Sequence, residues 1–133
     1  MFKTIPLFTI ILFVLLGCKE DFPVYSKFTN EQNSSQIKCL NYIIFNNQDK
    51  QLLEKSFGIK DDKSCSYKVS LIKYKVKSCT NPIVKSIGSD FNGYIRVEIK
   101  KGFKNYYKIQ SDYKNDSEKA FKRVLNGISK VFN

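Results

Sequence analysis

Residue types that commonly do chemistry are scarce in this chain. Its 133 residues include four cysteines and no histidine. Histidine is the commonest general base and the commonest metal ligand, so a serine or cysteine nucleophile has no imidazole to activate it. The candidates for paired catalytic acids of the kind that glycosidases use are Asp61-Asp62 and Asp90, and they lie in stretches typical of turns. The sequence therefore predicts a protein that is not an enzyme and that holds no metal and no cofactor.

The first cysteine follows an apolar N-terminal segment. Lys3 supplies a positive charge, the run from Ile5 to Leu16 is apolar at all but two positions, and Gly17-Cys18 comes next. About twelve apolar residues are too few to cross a bilayer core roughly 30 Å thick. Leu15-Leu16-Gly17-Cys18 resembles the lipobox of bacterial lipoproteins. This resemblance implies a cleaved signal peptide rather than a transmembrane helix.

Membership of that family would fix the address of the mature protein. It implies that residues 1–17 are removed and that Cys18 becomes the first residue, with acyl chains that anchor it stably in a lipid bilayer. Lys19 stands where an Asp would retain such a protein in the inner membrane, which implies the outer membrane. Lys19-Glu20-Asp21 also resembles a surface-export signal of some lipoproteins, but we favour the periplasmic face over the cell surface.

Lipidation of Cys18 would leave three thiols in an oxidising compartment, where we expect one disulfide. Cys65 and Cys79 flank the strand predicted over 67–78, which would hold them roughly 45 Å apart, beyond disulfide reach. Cys39 is therefore the expected member of the bridge. It would meet Cys65 if residues 37–45 form a strand parallel to that predicted strand, and Cys79 if they begin a helix running back over it.

Hydrophobic periodicity divides the mature chain into a polar, flexible tether over 18–36 and one domain over 37–133. Residues 37–45 fit a strand or a helix. Elsewhere the pattern predicts a helix over 49–57 ended by Gly58, a strand over 67–78, a hairpin over 94–111 and a C-terminal helix over 117–132. This order predicts an α+β fold, a small antiparallel sheet with both helices on one face.

The long strand changes its alternation in the middle. Tyr67, Val69 and Leu71 are apolar at odd positions, whereas the next apolar residues are at even positions, which predicts a β-bulge at Leu71-Ile72. The bulge would turn the lysines that follow outward, beside the outward residues of the hairpin. The resulting face could bind an anionic ligand, with Tyr74, Tyr94 and Tyr106 beside it, or it could be an ordinary solvated face. Its cations would be Lys73, Lys75, Lys77, Arg96, Lys100 and Lys108.

The charge balance is basic, with 23 Lys and Arg against 12 Asp and Glu. The order of elements is similar to that of small envelope lipoproteins that assist lipopolysaccharide assembly, secretion or cell-wall synthesis. The lipobox and a small domain without catalytic residues predict a non-enzymatic module that binds an envelope protein or an anionic glycan or lipid, with nucleic acid disfavoured. The alternative is an immunity or inhibitor lipoprotein directed against a secreted toxin or hydrolase.

Overall fold

The computed structural model describes residues 21–29, 33–76 and 91–133. Within them, five strands form one sheet and two α-helices pack against it, which confirms the predicted α+β class. A 3-10 turn over Ser34–Gln36 follows the first strand. The elements in chain order are β1 (Val24–Phe28), β2 (Asn41–Ile43), α1 (Asn47–Phe57), β3 (Tyr67–Lys75), β4 (Gly93–Lys101), β5 (Lys104–Tyr113) and α2 (Ser117–Phe132).

The strands lie in the order β1-β5-β4-β3-β2, and all neighbours are antiparallel except β2 and β3, which are parallel. The sheet is therefore mixed, and the predicted antiparallel sheet is wrong in this respect. The reason is the connection from β2 to β3. Because α1 carries the chain back along the sheet, β3 begins at the end where β2 began.

Strand β1 lies inside the segment that the sequence predicts as a flexible tether. Val24–Phe28 pairs with β5 from Val24↔Ser111 to Phe28↔Tyr107, so this part of the tether prediction is wrong. Only Phe28 in this strand is even half-buried. Backbone hydrogen bonds hold the strand at the edge of the sheet, and little burial is needed, so its sequence shows little apolar alternation.

Helix α2 spans the predicted residues 117–132 and α1 ends at Gly58 as predicted, but α1 begins at Asn47, two residues before the predicted start at 49. The Asn46 side chain accepts hydrogen bonds from the backbone at the start of α1, and Gly58 ends the helix at φ 70°. Helix α2 is strongly amphipathic. Its Gly127 lies so close to β5 that an added Cβ would stand 2.6 Å from Ile109 Cδ1. Glycine thus weakens the helix slightly but lets it approach the sheet.

The core lies between the sheet and the two helices, on the side that we call the covered face. Ile95, Val97 and Ile99 of β4 are at most 1% exposed, and the inward residues of β5 are completely buried, as predicted. An aromatic cluster closes one end of this core. The Phe57 and Phe132 rings lie 4.8 Å apart, and the Phe132 ring lies 5.3 Å from that of Tyr107.

Strand β3 pairs with β4 in one unbroken register, from Tyr67↔Lys101 to Lys75↔Gly93. The predicted bulge at Leu71-Ile72 is therefore absent. The irregularity lies between β4 and β5 instead, where the register shifts between Ile99 and Lys100 and leaves Tyr106 without an opposite residue. Because side chains alternate strictly along an unbroken strand, Ile72 and Tyr74 lie on the face opposite to Val69.

A disulfide joins Cys39 to Cys65, with their Cα atoms 5.8 Å apart. Each cysteine stands two residues before a strand, β2 or β3, and these strands run parallel. Of the two pairings that the sequence left open, the structure has the one that follows from a parallel strand. The bond holds the three-residue strand β2 against the sheet. Cys18 and Cys79 lie outside the described residues.

Candidate functional site

The face of the sheet turned away from both helices is the open face. Strand alternation places on it every second side chain of each strand. These side chains carry five cations and two carboxylates, a net charge of +3. The cations are Lys27, Lys68, Arg96, Lys100 and Lys108, and the carboxylates are Glu98 and Asp112.

Four of these cations form what we call the lysine cluster: Lys27, Lys68, Lys100 and Lys108. Lys27 lies directly opposite Lys108, and Lys68 lies directly opposite Lys100. Like charges in directly opposed positions destabilise a sheet. All four side chains are exposed, so water screens part of this repulsion.

A single carboxylate lies among these lysines. Glu98 is opposite Lys108 on β5 and is only 6% exposed, although it belongs to the open face. Its Oε2 lies 2.9 Å from Lys100 Nζ, and its Oε1 lies 3.6 Å from the Arg96 guanidinium. Both oxygens are thus engaged on β4 itself. Lys27, Lys68 and Lys108 have no carboxylate within ion-pair distance among the described residues.

Aromatic rings occupy the other end of the open face. Tyr74 and Tyr94 stack with their ring centroids 5.0 Å apart and their planes 24° apart, and the Arg96 guanidinium lies 4.7 Å from the Tyr94 ring. Arg96 Nε donates to Gln110 Oε1, and Gln110 Nε2 donates to Asp112 Oδ1. We call Tyr74 and Tyr94 the tyrosine pair. Tyr74 is 45% exposed, so this flat apolar surface is open to a ligand.

The described residues of the predicted anionic-ligand face do not all lie on one side of the sheet. Arg96, Lys100 and Lys108 lie on the open face, as expected. Lys73 lies on the covered face, where its Nζ is 2.8 Å from Asp49 Oδ2 and 4.8 Å from the Phe121 ring centroid. Its ammonium group is therefore paired with both helices.

The division has a simple cause, which is the missing bulge. Lys75 has the same alternation as Lys73, so neither lysine joins the open face. Tyr106 also departs from the prediction, because its ring packs edge-on against Tyr67 on the covered side. Lys77 lies outside the described residues.

Sequence reasoning missed two members of the lysine cluster. Lys68 precedes Val69, so its place could be read from the alternation around the buried valine. Lys27 could not be found in this way, because β1 carries almost no apolar pattern. Only the pairing of β1 with β5 brings Lys27 opposite Lys108.

The acidic candidates are engaged in local structure. Hydrogen bonds from the Lys50 ammonium and the Tyr42 backbone N–H lower the pKa of Asp61. Hydrogen bonds from the Ser64 side chain and backbone lower the pKa of Asp62, which begins a tight turn. A carboxyl with a lowered pKa is a poor general acid near neutral pH. Asp90 lies outside the described residues.

The open face has the charge to hold an anion and a flat aromatic surface on the same side of the sheet. Over residues 21–29, 33–76 and 91–133, no group of three or more Cys, Asp or Glu side chains could hold a metal ion. The helices in these ranges are too short or too polar to span a membrane. Comparison with protein-family models, curated proteins and solved structures finds no match to this chain.

Proposed function

We propose that this chain is a non-enzymatic lipoprotein of the bacterial outer membrane that binds an anionic glycan on its open face. The observation that carries the binding proposal is the lysine cluster. Two lysine pairs are directly opposed, and the only carboxylate among them is already bound to Lys100 and Arg96. A phosphate or carboxylate placed between these lysines would relieve their repulsion.

The tyrosine pair supports a glycan rather than a simple inorganic anion. Tyr74 and Tyr94 lie on the same face as the lysine cluster, about two or three rows of side chains away along the strands. Sugar rings could pack on the tyrosines while their acidic groups reach the lysines. A polymer that carries both groups would span the two clusters, whereas a free anion would use only one.

The position of β1 sets how far the domain could lie from the proposed anchor. Five residues lie between Cys18 and Val24, and the six extended steps that join them reach at most about 20 Å. If Cys18 is lipidated, the sheet therefore lies close to the membrane surface rather than at the end of a long tether. The open face would meet polymers attached to or lying beside the bilayer.

Binding is tested with the detergent-purified protein and three probes: phosphomannan, neutral mannan and inorganic polyphosphate. We expect binding to phosphomannan and none to mannan, with affinity that falls as salt rises. The double variant Lys27→Gln/Lys108→Gln should lose affinity roughly tenfold. Lys122→Gln/Lys130→Gln removes the same charge from the exposed side of α2 and should keep most of the affinity.

Tyr74→Ala separates the two parts of the site. It should weaken phosphomannan binding and leave polyphosphate binding unchanged, because polyphosphate has no sugar ring to pack on the tyrosine. Equal losses in the two lysine variants would mean that net charge alone drives binding, and the proposed site would be wrong. If neither phosphomannan nor polyphosphate binds, the proposed site is also wrong.

The anchor has its own test. Cells expressing the protein are labelled with radioactive palmitate, and the envelope is separated into inner and outer membranes. The wild-type chain should carry label and fractionate with the outer membrane, and Cys18→Ser should carry none. Label on both forms, or on neither, would refute lipidation at Cys18.

A further inference from the structure

The turn between β4 and β5 combines features that the open-face site does not use. Phe103 stands at its tip with its side chain completely exposed. Gly102 precedes it at φ 59°, a left-handed conformation that glycine adopts without strain, and a Cβ there would meet nothing within 4 Å. The turn therefore projects the phenylalanine away from the domain.

Exposure alone does not single out Phe103, because isolated apolar residues are common on protein surfaces. Phe45, between β2 and α1, is equally exposed, and its sequence neighbours Ile44 and Asn46 are uncharged. Phe103, in contrast, stands between Lys101 and Lys104, which are directly opposed in the hairpin. The charge around the ring distinguishes the two phenylalanines.

The positive charge continues behind the tip. Lys100 precedes Lys101 and lies opposite Lys68 of β3 on the open face, and residues 100–104 include no acid. The nearest acid along β4 is Glu98, whose oxygens are bound to Lys100 and Arg96. Lys101 and Lys104, the lysines that flank Phe103, thus have no carboxylate within ion-pair distance among the described residues, and the Lys101 ammonium lies 5.1 Å from the Tyr67 ring centroid.

An anionic bilayer satisfies both parts of this tip at once. Aromatic rings favour the interface between headgroups and acyl chains, and lysines nearby are attracted to lipid phosphates. We propose that the β4–β5 turn is a membrane contact, in which Phe103 enters the interface of a bilayer containing anionic phospholipid and Lys101 and Lys104 bind its phosphates.

The orientation of the domain follows if the Cys18 anchor proposed above is also correct. β1 enters the sheet opposite Ser111, whereas the tip lies beyond Lys104, seven residues or roughly 23 Å along β5. The start of β1 and the tip thus lie at opposite ends of the sheet. Both reach one bilayer when the strands lie along its surface.

The chain contains no tryptophan, so a single introduced indole reports on its own surroundings. F103W and, as a matched control, F45W are purified in detergent and reconstituted into vesicles of phosphatidylcholine with or without phosphatidylglycerol. Bromine atoms on the upper acyl chain of these lipids quench an indole that enters the interface. Both positions are exposed, so neither substitution disturbs the core.

With phosphatidylglycerol present, we expect F103W to shift to shorter emission wavelength and to be quenched, and F45W to emit as in water. Adding Lys101→Gln/Lys104→Gln to F103W should lower the insertion constant roughly 25-fold, at about fivefold for each lysine. If F103W emits as in water on anionic vesicles, the proposal is overturned. A blue shift without bromine quenching also overturns it, because the ring would then be buried by protein.

The outcome separates this contact from the anchor. Protein that stays with the vesicles while F103W remains unquenched is anchored elsewhere, so the tip proposal fails and the anchor stands. Cys18→Ser protein that is quenched only on anionic vesicles shows the reverse, a tip that binds lipid without an acyl anchor.

Discussion

The two faces of the sheet are built from alternating residues of the same strands but are held in different ways. On the covered face, Val97 and Ile109 are completely buried against the helices. On the open face, the neighbouring Lys108 is exposed, and Arg96 is partly exposed and contacts other side chains of the same face. The comparison indicates that stability depends mainly on one face, which leaves the other available for the proposed binding site.

Two residues run against this division. Lys73 lies on the covered face but keeps its ammonium group beside Asp49 at the rim. Glu98 lies on the open face but is buried by the cations around it. Both residues show that the burial of a side chain depends on its neighbours as well as on strand alternation.

The largest expected effect comes from a pair of adjacent residues on opposite faces. Ile109→Ala should lower the free energy of unfolding by about 3 kcal/mol, because it leaves a cavity against α2. Lys108→Gln should change it by less than about 0.5 kcal/mol. Urea unfolding followed by circular dichroism measures both. Similar losses in the two variants would remove the proposed division of roles between the faces.

The disulfide is expected to matter nearly as much, because it holds β2, which adds one buried residue, Tyr42, to the covered face. Cys39→Ser/Cys65→Ser opens a loop with a sequence separation of 26 and should cost about 3 kcal/mol. Urea unfolding of wild type with and without reductant gives the same comparison. A double variant that is insensitive to reductant but as stable as oxidised wild type would contradict this expectation.

Alkaline pH should unfold the protein through the covered face. Burial raises the pKa of Tyr107 to about 12, whereas an unfolded tyrosine titrates near 10. The native state keeps its proton while the unfolded state loses it, so this stability is complete below pH 10 and is lost as pH rises through 12. The expected loss is about 2 kcal/mol at pH 12.

Tyr107→Phe is the control, because it keeps the ring and removes the titrating group. Unfolding by urea at several pH values between 8 and 12 should show a shallower fall in stability for this variant than for wild type. Burial raises the pKa of Tyr42 as well, so part of the alkaline loss should remain. Parallel curves for the variant and wild type would exclude Tyr107 as a source of the effect.

The smallest expected effect has opposite signs on stability and on binding. Glu98→Gln removes the charge that Lys100 and Arg96 share, and should destabilise the fold by about 1 kcal/mol, since Lys100 remains partly in water. It also raises the net charge of the open face, so phosphomannan should bind about fivefold more tightly. Unfolding and binding titrations on one preparation measure both, and weaker binding would place the ligand elsewhere.

Prediction from sequence succeeds where one element carries its own pattern. The stripe of α2, the end of α1 at Gly58 and the inward residues of the hairpin are all local, because burial on one face imposes a period on the residues themselves. It fails for β1 and for the second half of β3. An exposed edge strand such as β1 needs no apolar alternation. In β3, Lys73 lies on the covered face, where the pattern predicts an apolar residue, and Tyr74 lies on the open face, where the pattern predicts a polar one.

The candidate site is the less predictable part of the molecule for the same reason. Arg96, Lys100 and Lys108 belong to a hairpin, whose faces follow from its apolar residues. Lys27 joins them from about eighty positions away in the chain. No local pattern reports such a pairing, because it depends on hydrogen bonds between strands rather than on the side chains of either one.

The sequence alone determined the type of both helices and of the hairpin, their limits to within two residues, and the absence of histidine chemistry, since each depends on residue types and local spacing. Only the tertiary structure decided that Cys39 meets Cys65, that Lys73 lies on the covered face and that Glu98 is buried among cations. These outcomes depend on strand register and strand direction. Register is a long-range property, and a shift of one residue moves every side chain to the other face.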